Sequence, residues 1–173
     1  MLKKLLLFIV LLTASFLNAQ TFYWVGGSGN FNDANHWSLT SGGSSANAIP
    51  NTNSTIIFDN TSSVSSFSIF ATQSLSFKSI IAQNTKFKVD FIGYQNTDLT
   101  INGDVSLNEY FFLKLSGKLN LNPVLPVKYQ FSHNKLNNDV FVNADTDVEL
   151  GNFSTSKSLS LTGNFTLKNS YVF

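Results

Sequence analysis

Three stretches of this chain share one pattern, apolar-x-apolar-x-Gly-x-apolar-x-apolar. They are Leu99-Thr-Ile-Asn-Gly103-Asp-Val-Ser-Leu107, Leu113-Lys-Leu-Ser-Gly117-Lys-Leu-Asn-Leu121 and Leu159-Ser-Leu-Thr-Gly163-Asn-Phe-Thr-Leu167. Period-two alternation on both sides of a glycine describes two short strands, each with one buried face, joined where the chain bends or where backbones pass closely. The starts at residues 99, 113 and 159 are unevenly spaced, so the repeat is a local unit and not a fixed period.

The same alternation recurs elsewhere. It runs through Phe67 and Ile69, Leu75 and Phe77, and Phe87, Val89 and Phe91; it returns at Val127, Tyr129 and Phe131, and at Val140 and Val142. Turn-forming residues punctuate these runs at Gly93, Asn102-Gly103, Asn122-Pro123, Asn137-Asn138, Gly151-Asn152 and Gly163-Asn164. Past residue 19 no helical period emerges, and the expected class is all-β. Two architectures fit. In a β-solenoid each copy is part of one rung, rungs stack to bury an apolar column, and Asn and Ser at bends form ladders between rungs. In a β-sandwich the copies are hairpins, for which Asn102-Gly103 is a suitable turn. The very short flanking strands favour the solenoid.

The N-terminus has the layout of a secretory signal peptide. Lys3 and Lys4 precede an apolar stretch, Leu5 to Leu17, and Leu17-Asn18-Ala19 offers a cleavage site before Gln20. The stretch is shorter than the roughly 20 residues of a spanning helix, so cleavage is expected and no membrane span thereafter. The expected organisation is signal peptide over 1–19, an aromatic, Gly-rich capping segment and loop over 20–54, and a repetitive strand region over 55–173. Export by the Sec pathway makes the export machinery a partner and the cell surface or medium the destination.

Composition removes several functions. With no cysteine, thiolate metal sites, cysteine nucleophiles and disulfides are excluded. All 11 basic residues are Lys, and without Arg forks or a basic patch no nucleic-acid partner is expected. Charged residues make up 12% and aromatics 14% of the chain, a balance unlike that of disordered segments.

The densest signal is Tyr23-Trp24-Val25-Gly26-Gly27-Ser28-Gly29-Asn30-Phe31-Asn32-Asp33, continued by Asn35-His36-Trp37-Ser38, Ser41-Gly42-Gly43, Ile49-Pro50 and Ile56-Ile57-Phe58-Asp59. This combination resembles the opening of large Bacteroidetes surface proteins of adhesin type, many carried by the type IX secretion system and some linked to gliding motility. It is also similar to the Trp/Gly openings of autotransporter passengers, whose bodies are right-handed parallel β-helices. Phe31 stands where Trp is commoner. The resemblance implies a cell-surface structural and interaction module whose partners are surface polysaccharide or other surface proteins. It also implies a C-terminal sorting domain; the chain instead closes on Tyr171-Val172-Phe173, so the expectation is an N-terminal portion of a longer protein that self-associates through its open end.

Two roles are open to the aromatics. Trp24, Phe31 and Trp37 could cover the apolar end of a first rung, with Gly26, Gly27 and Gly29 letting the backbone wrap closely. Alternatively Tyr23, Trp24 and Trp37 form a flat platform for stacking on sugar rings. Catalytic signals are weak. His36 and His133 are the two histidines, no G-x-S-x-G elbow occurs, and Gly26-Gly27-Ser28-Gly29 is neither that nor a phosphate loop. Asp145, Asp147 and Glu149 alternate, either as a solvated strand face or as a calcium-binding row. The non-catalytic start of a β-helical polysaccharide-degrading enzyme is a further alternative. No catalytic residue, cofactor or metal is expected.

Overall fold

The computed structural model describes residues 19–131, 136–151, 155–164 and 166–168. The chain is a β-solenoid of about five turns. Three sheets form its sides. Sheet A has the order β17 (Leu167–Lys168), β15 (Val148–Gly151), β13 (Val127–Gln130), β10 (Val105–Leu107), β7 (Ser79–Ala82), β4 (Thr55–Phe58), β1 (Thr21–Trp24), β3 (Trp37–Ser38). Sheet B has the order β11 (Phe111–Leu115), β8 (Val89–Gly93), β5 (Phe67–Ala71), β2 (Gly29–Asn30). Sheet C has the order β16 (Leu159–Thr162), β14 (Val140–Asn143), β12 (Leu119–Leu121), β9 (Leu99–Ile101), β6 (Leu75–Phe77). A complete rung visits the three in turn: β7 (Ser79–Ala82), β8 (Val89–Gly93) and β9 (Leu99–Ile101), followed by β10 (Val105–Leu107), β11 (Phe111–Leu115) and β12 (Leu119–Leu121). The rung before them holds β4 (Thr55–Phe58), β5 (Phe67–Ala71) and β6 (Leu75–Phe77). Beyond them lie β13 (Val127–Gln130), β14 (Val140–Asn143), β15 (Val148–Gly151), β16 (Leu159–Thr162) and β17 (Leu167–Lys168). Between β13 and β14, and between β15 and β16, the contribution to side B among the described residues is one parallel bridge, Leu136 to Thr155.

Register shows how alternation becomes a core. Ile56 pairs with Ile80, Ile80 with Val105, Val105 with Tyr129 and Tyr129 with Leu150. All five are buried in one axial column. In sheet C, Leu75, Leu99, Leu119 and Val140 form a second column, and Phe77, Ile101, Leu121 and Val142 a third. Each buried Leu, Ile, Val or Phe contributes roughly 1.5–3 kcal/mol of transfer free energy, so the stack is held by its interior.

The sandwich alternative and its Asn102-Gly103 hairpin are not formed. The strands flanking Gly103 belong to different sheets, and each pairs in parallel with other rungs. Gly103 is absent from the positive-φ glycines, whereas a type I′ turn needs positive φ at both central positions. The repeat is a corner. Its copies at 99 and 159 turn from sheet C into sheet A, and the copy at 113 turns from B into C. A unit that recurs at corners of different kinds has no reason to recur at rung length, which explains its uneven spacing.

Corners stack closely. A Cβ on Gly117 would lie 2.6 Å from the Thr97 carbonyl oxygen and 2.3 Å from Asp98 Oδ1, both one rung earlier. Polar side chains tie the corners axially. Asp98 N–H donates to Ser74 Oγ (3.1 Å), and Lys118 N–H to Asp98 Oδ1 (2.7 Å). Ser158 donates through N–H and Oγ to Asp139 Oδ1 (3.1 and 2.7 Å), and Asn164 N–H to Asp145 Oδ1 (3.1 Å). Asn138, fully buried, donates from Nδ2 to the carbonyls of Leu115 (2.8 Å) and Gly117 (2.9 Å). Among the described residues no helix is long and apolar enough to cross a membrane.

Gly117→Ala is expected to lower unfolding free energy by about 1–3 kcal/mol, because the corner beneath cannot yield. Gly151→Ala, whose Cβ would meet its nearest neighbour at 3.7 Å, should stay within about 0.5 kcal/mol of the parent. Urea titrations of the two variants check the pair.

Candidate functional site

The N-terminal motif is itself the first rung. β1 (Thr21–Trp24) pairs in parallel with β4, and β2 (Gly29–Asn30) with β5. The segment over 20–54 therefore contains strands of the solenoid, and the strand region begins well before Thr55. After β2 the Asp33 carboxylate accepts the Asn35 N–H (2.9 Å) and opens a 3-10 turn, Ala34–His36. That turn reverses the chain into β3 (Trp37–Ser38), which pairs with β1 antiparallel, Trp24 opposite Trp37. Among the described residues this is the one antiparallel pair. The far side of β3 is closed by Ala46, whose N–H donates to the Trp37 carbonyl (2.7 Å).

Both Trp side chains are fully buried. Trp24 meets Trp37 edge-on at 5.0 Å, and Trp37 meets Phe31 at 4.9 Å. Phe31 continues the contact to Phe77 (5.9 Å) and Phe91 (6.0 Å) in later rungs. The indole N–H groups donate to Gly27 O (2.7 Å) and Phe31 O (2.8 Å), leaving neither polar atom unpaired. His36 lies flat on Trp24, with centroids 4.6 Å apart. Its Nδ1 donates to Val25 O (2.7 Å), which fixes the tautomer. Gly29 makes room for that ring, since a Cβ there would sit 2.0 Å from His36 Nε2. Asp59 closes the arrangement. Its Oδ1 accepts from Thr61 N–H (2.8 Å), Thr61 bonds to Ser41 through their hydroxyls (3.1 Å), and Gly27 N–H donates to Ser62 O (3.0 Å).

The sugar-stacking platform of Tyr23, Trp24 and Trp37 is therefore not formed. A ring enclosed on all sides has no face to offer, and of the three only Tyr23 is partly exposed. The acidic row is also divided. Asp145 caps the Asn164 N–H, and Glu149 pairs with Lys128 at 2.9 Å. No group of three or more metal-ligating side chains occurs among the described residues. His133 and Tyr171-Val172-Phe173 lie outside the described residues.

A different surface stands out. On the outer face of sheet B, register aligns Phe70 with Ile92 and Lys114, and Ser68 with Asp90 and Phe112. Tyr94 and Tyr110 flank these columns at 46% and 41% exposure. Phe70 and Tyr94 are near-parallel with centroids 6.1 Å apart. Lys88 Nζ and Lys114 Nζ lie 5.3 and 6.0 Å from the Phe112 ring centroid, and both reach Asp90 at 2.9 Å. The carboxylate side chain is 16% exposed, the two lysine side chains 48% and 49%. What faces solvent is aromatic and positive. A groove of about 540 Å³ opens along β11, its walls shared by inward Leu113, Leu115, Phe131 and Leu136 and by outward Phe112 and Lys114.

Burial by itself raises the Asp90 pKa, but hydrogen bonds and charge from Lys114 and Lys88 outweigh it and hold the group below its ordinary 3.8. Strand alternation does not mark this face, because it follows only the inward residues. The available signal is the apolar pairs Ile69-Phe70, Phe91-Ile92 and Phe111-Phe112. In each the second member breaks the period and points outward.

Comparison with known family models, curated proteins and solved structures finds no match.

Two outcomes follow. Trp37→Ala should cost about 3–5 kcal/mol, and Tyr23→Ala less than about 1 kcal/mol, as read by chemical denaturation. A depressed carboxylate pKa adds stability that is complete above the unfolded value and is lost as pH falls through the folded one. The Asp90 contribution should therefore disappear as pH drops below about 3.8. Asp90→Asn should flatten that part of the stability–pH curve, measured as denaturation midpoints at successive pH values.

Proposed function

We propose that this chain is the N-terminal, non-catalytic module of an exported cell-surface protein of adhesin type. Its work is to start a β-solenoid, space it away from the cell and display its outer faces. One observation carries the reading. The scattered residues of the motif that resembles Bacteroidetes surface proteins converge on a single closed first rung, with His36 in the Gly29 notch, Trp24 on Trp37, and the Asp59 turn tied to Gly27 and Ser41. Trp24, Gly27, Gly29, His36, Trp37 and Ser41 are thus held together where the stack begins, which supports a role in starting it. The leader over 1–19 supplies entry to the Sec pathway, and type IX carriage belongs to the same reading. Partners are other surface proteins or polysaccharide.

The test places an epitope beside Val64, which is 92% exposed on a corner, and expresses the tagged full-length gene in its source cells. Protease added to intact cells should remove the epitope, and the processed chain should begin near Gln20. An epitope that is cut only after lysis, on a chain that keeps its leader, would overturn the reading.

A further inference from the structure

We infer that the outer face of sheet B binds an acidic polysaccharide, its carboxylates at Lys88 and Lys114 and its sugar rings on Tyr94, Tyr110 and Phe70. This deepens the surface-module reading and rests on it for the availability of such a polymer, but the binding itself is a separate property.

The argument starts from placement. An outward position on a solvated strand normally carries a polar side chain, and sheet C follows this in its aligned column Ser76, Thr100, Asn120, Phe141 and Ser160, where a single ring, Phe141, interrupts the polar run. Sheet B instead puts Phe70, Ile92 and Phe112 outside, with two half-exposed tyrosines at its margins. A contiguous aromatic patch on the surface of a folded chain marks a place where something docks. Its charge narrows the partner. Asp90 is sunk between Lys88 and Lys114, so the pair of ammonium groups is the exposed layer and its net charge is positive. Those ammonium groups rest against the Phe112 ring, which orients them without consuming the outer tyrosines.

Geometry then favours a polymer of rings. Residues two apart on a strand are about 6.8 Å apart, and neighbouring strands about 4.8 Å. Aromatic and ammonium groups are therefore interspersed across the face, with Phe112 between Tyr110 and Lys114 along one strand and Asp90 and Ile92 between Lys88 and Tyr94 along the next. A chain of sugar rings bearing carboxylates meets both kinds of group. Its C–H faces stack on tyrosine and phenylalanine, and its charges meet lysine. A flexible peptide would have to lose more chain entropy to hold the same spacing.

The purified full chain would be run by affinity electrophoresis through gels holding alginate, a polymer of uronates, or neutral dextran. Alginate should retard it, dextran should not, and the retardation should fade as salt rises. Tyr94→Ala and the double variant Lys88→Gln/Lys114→Gln should each weaken alginate binding at least about tenfold, with circular dichroism unchanged. Should the lysine variant lose its fold, Tyr94→Ala and Tyr110→Ala decide the matter, since both side chains are exposed. The proposal is overturned by absent retardation, by variants that bind as the parent does, or by dextran binding as strong as that of alginate. Protease protection on intact cells with alginate binding retained would instead remove the surface-module reading and leave this one standing.

Discussion

Everything in this molecule depends on the pairing of Trp24 with Trp37. A parallel stack has no natural beginning. Its first strand presents the same unsatisfied N–H and C=O groups as any other, together with the open end of an apolar column. Here the chain solves both problems by doubling back. β3 takes the hydrogen bonds of β1 in the antiparallel sense, and the Ala46 loop closes β3 in turn. The two indoles, Phe31 and Phe22 fill the end of the column. Because the plug is built from β1 itself, the register of the first rung and the seal above it are one structure.

Once started, the stack repeats through its corners. Consecutive corners approach so closely that Gly117 lies directly over the Thr97 carbonyl. A side chain there would force the two rungs apart and break the ladders on either side. Aspartate and serine just before a strand then do what a capping residue does for a helix. They accept an N–H that the sheet leaves over, except that the N–H belongs to the next rung. This explains how so few charged residues serve the fold. Asp98, Asp139 and Asp145 are spent on backbone, and Asp139 is held below its usual range chiefly by its hydrogen bonds with Ser158.

The solenoid class was legible because period-two alternation depends only on which face is buried. The corners were legible as glycine between strands, yet their kind was not: Gly103 and Gly117 sit in the same local pattern and turn between different pairs of sheets. The aromatic opening could be read as cap or platform, since burial of Trp24 and Trp37 depends on β3 turning back, an event directed by a three-residue turn. Phe87 shows the limit from the other side. It continues the alternation of Val89 and Phe91, but it precedes β8 at a corner and is exposed. Tyr129 was readable as core, although not that its hydroxyl would be buried with it. Burial and the nearby Asp104 push that group's pKa upward.

A solenoid separates folding from function more cleanly than most architectures. Inward residues must agree from rung to rung, because each is a neighbour of the one above and the one below. Outward residues face no such demand, and the three sides diverge accordingly. Sheet C shows hydroxyl and amide groups interrupted by Phe141 beneath Lys118; sheet A begins with Tyr23, Ile57 and Ile81 and becomes polar at Ser106 and Gln130. Sheet B concentrates aromatic rings around a partly buried carboxylate and two exposed ammonium groups. Stability gives no reason for that concentration, since a threonine or serine at Tyr94 or Tyr110 would solvate equally well. The polysaccharide proposed for this face would replace the water that now meets its apolar surface. The cap and the corners serve all three sides of the stack, whereas the proposed binding uses one.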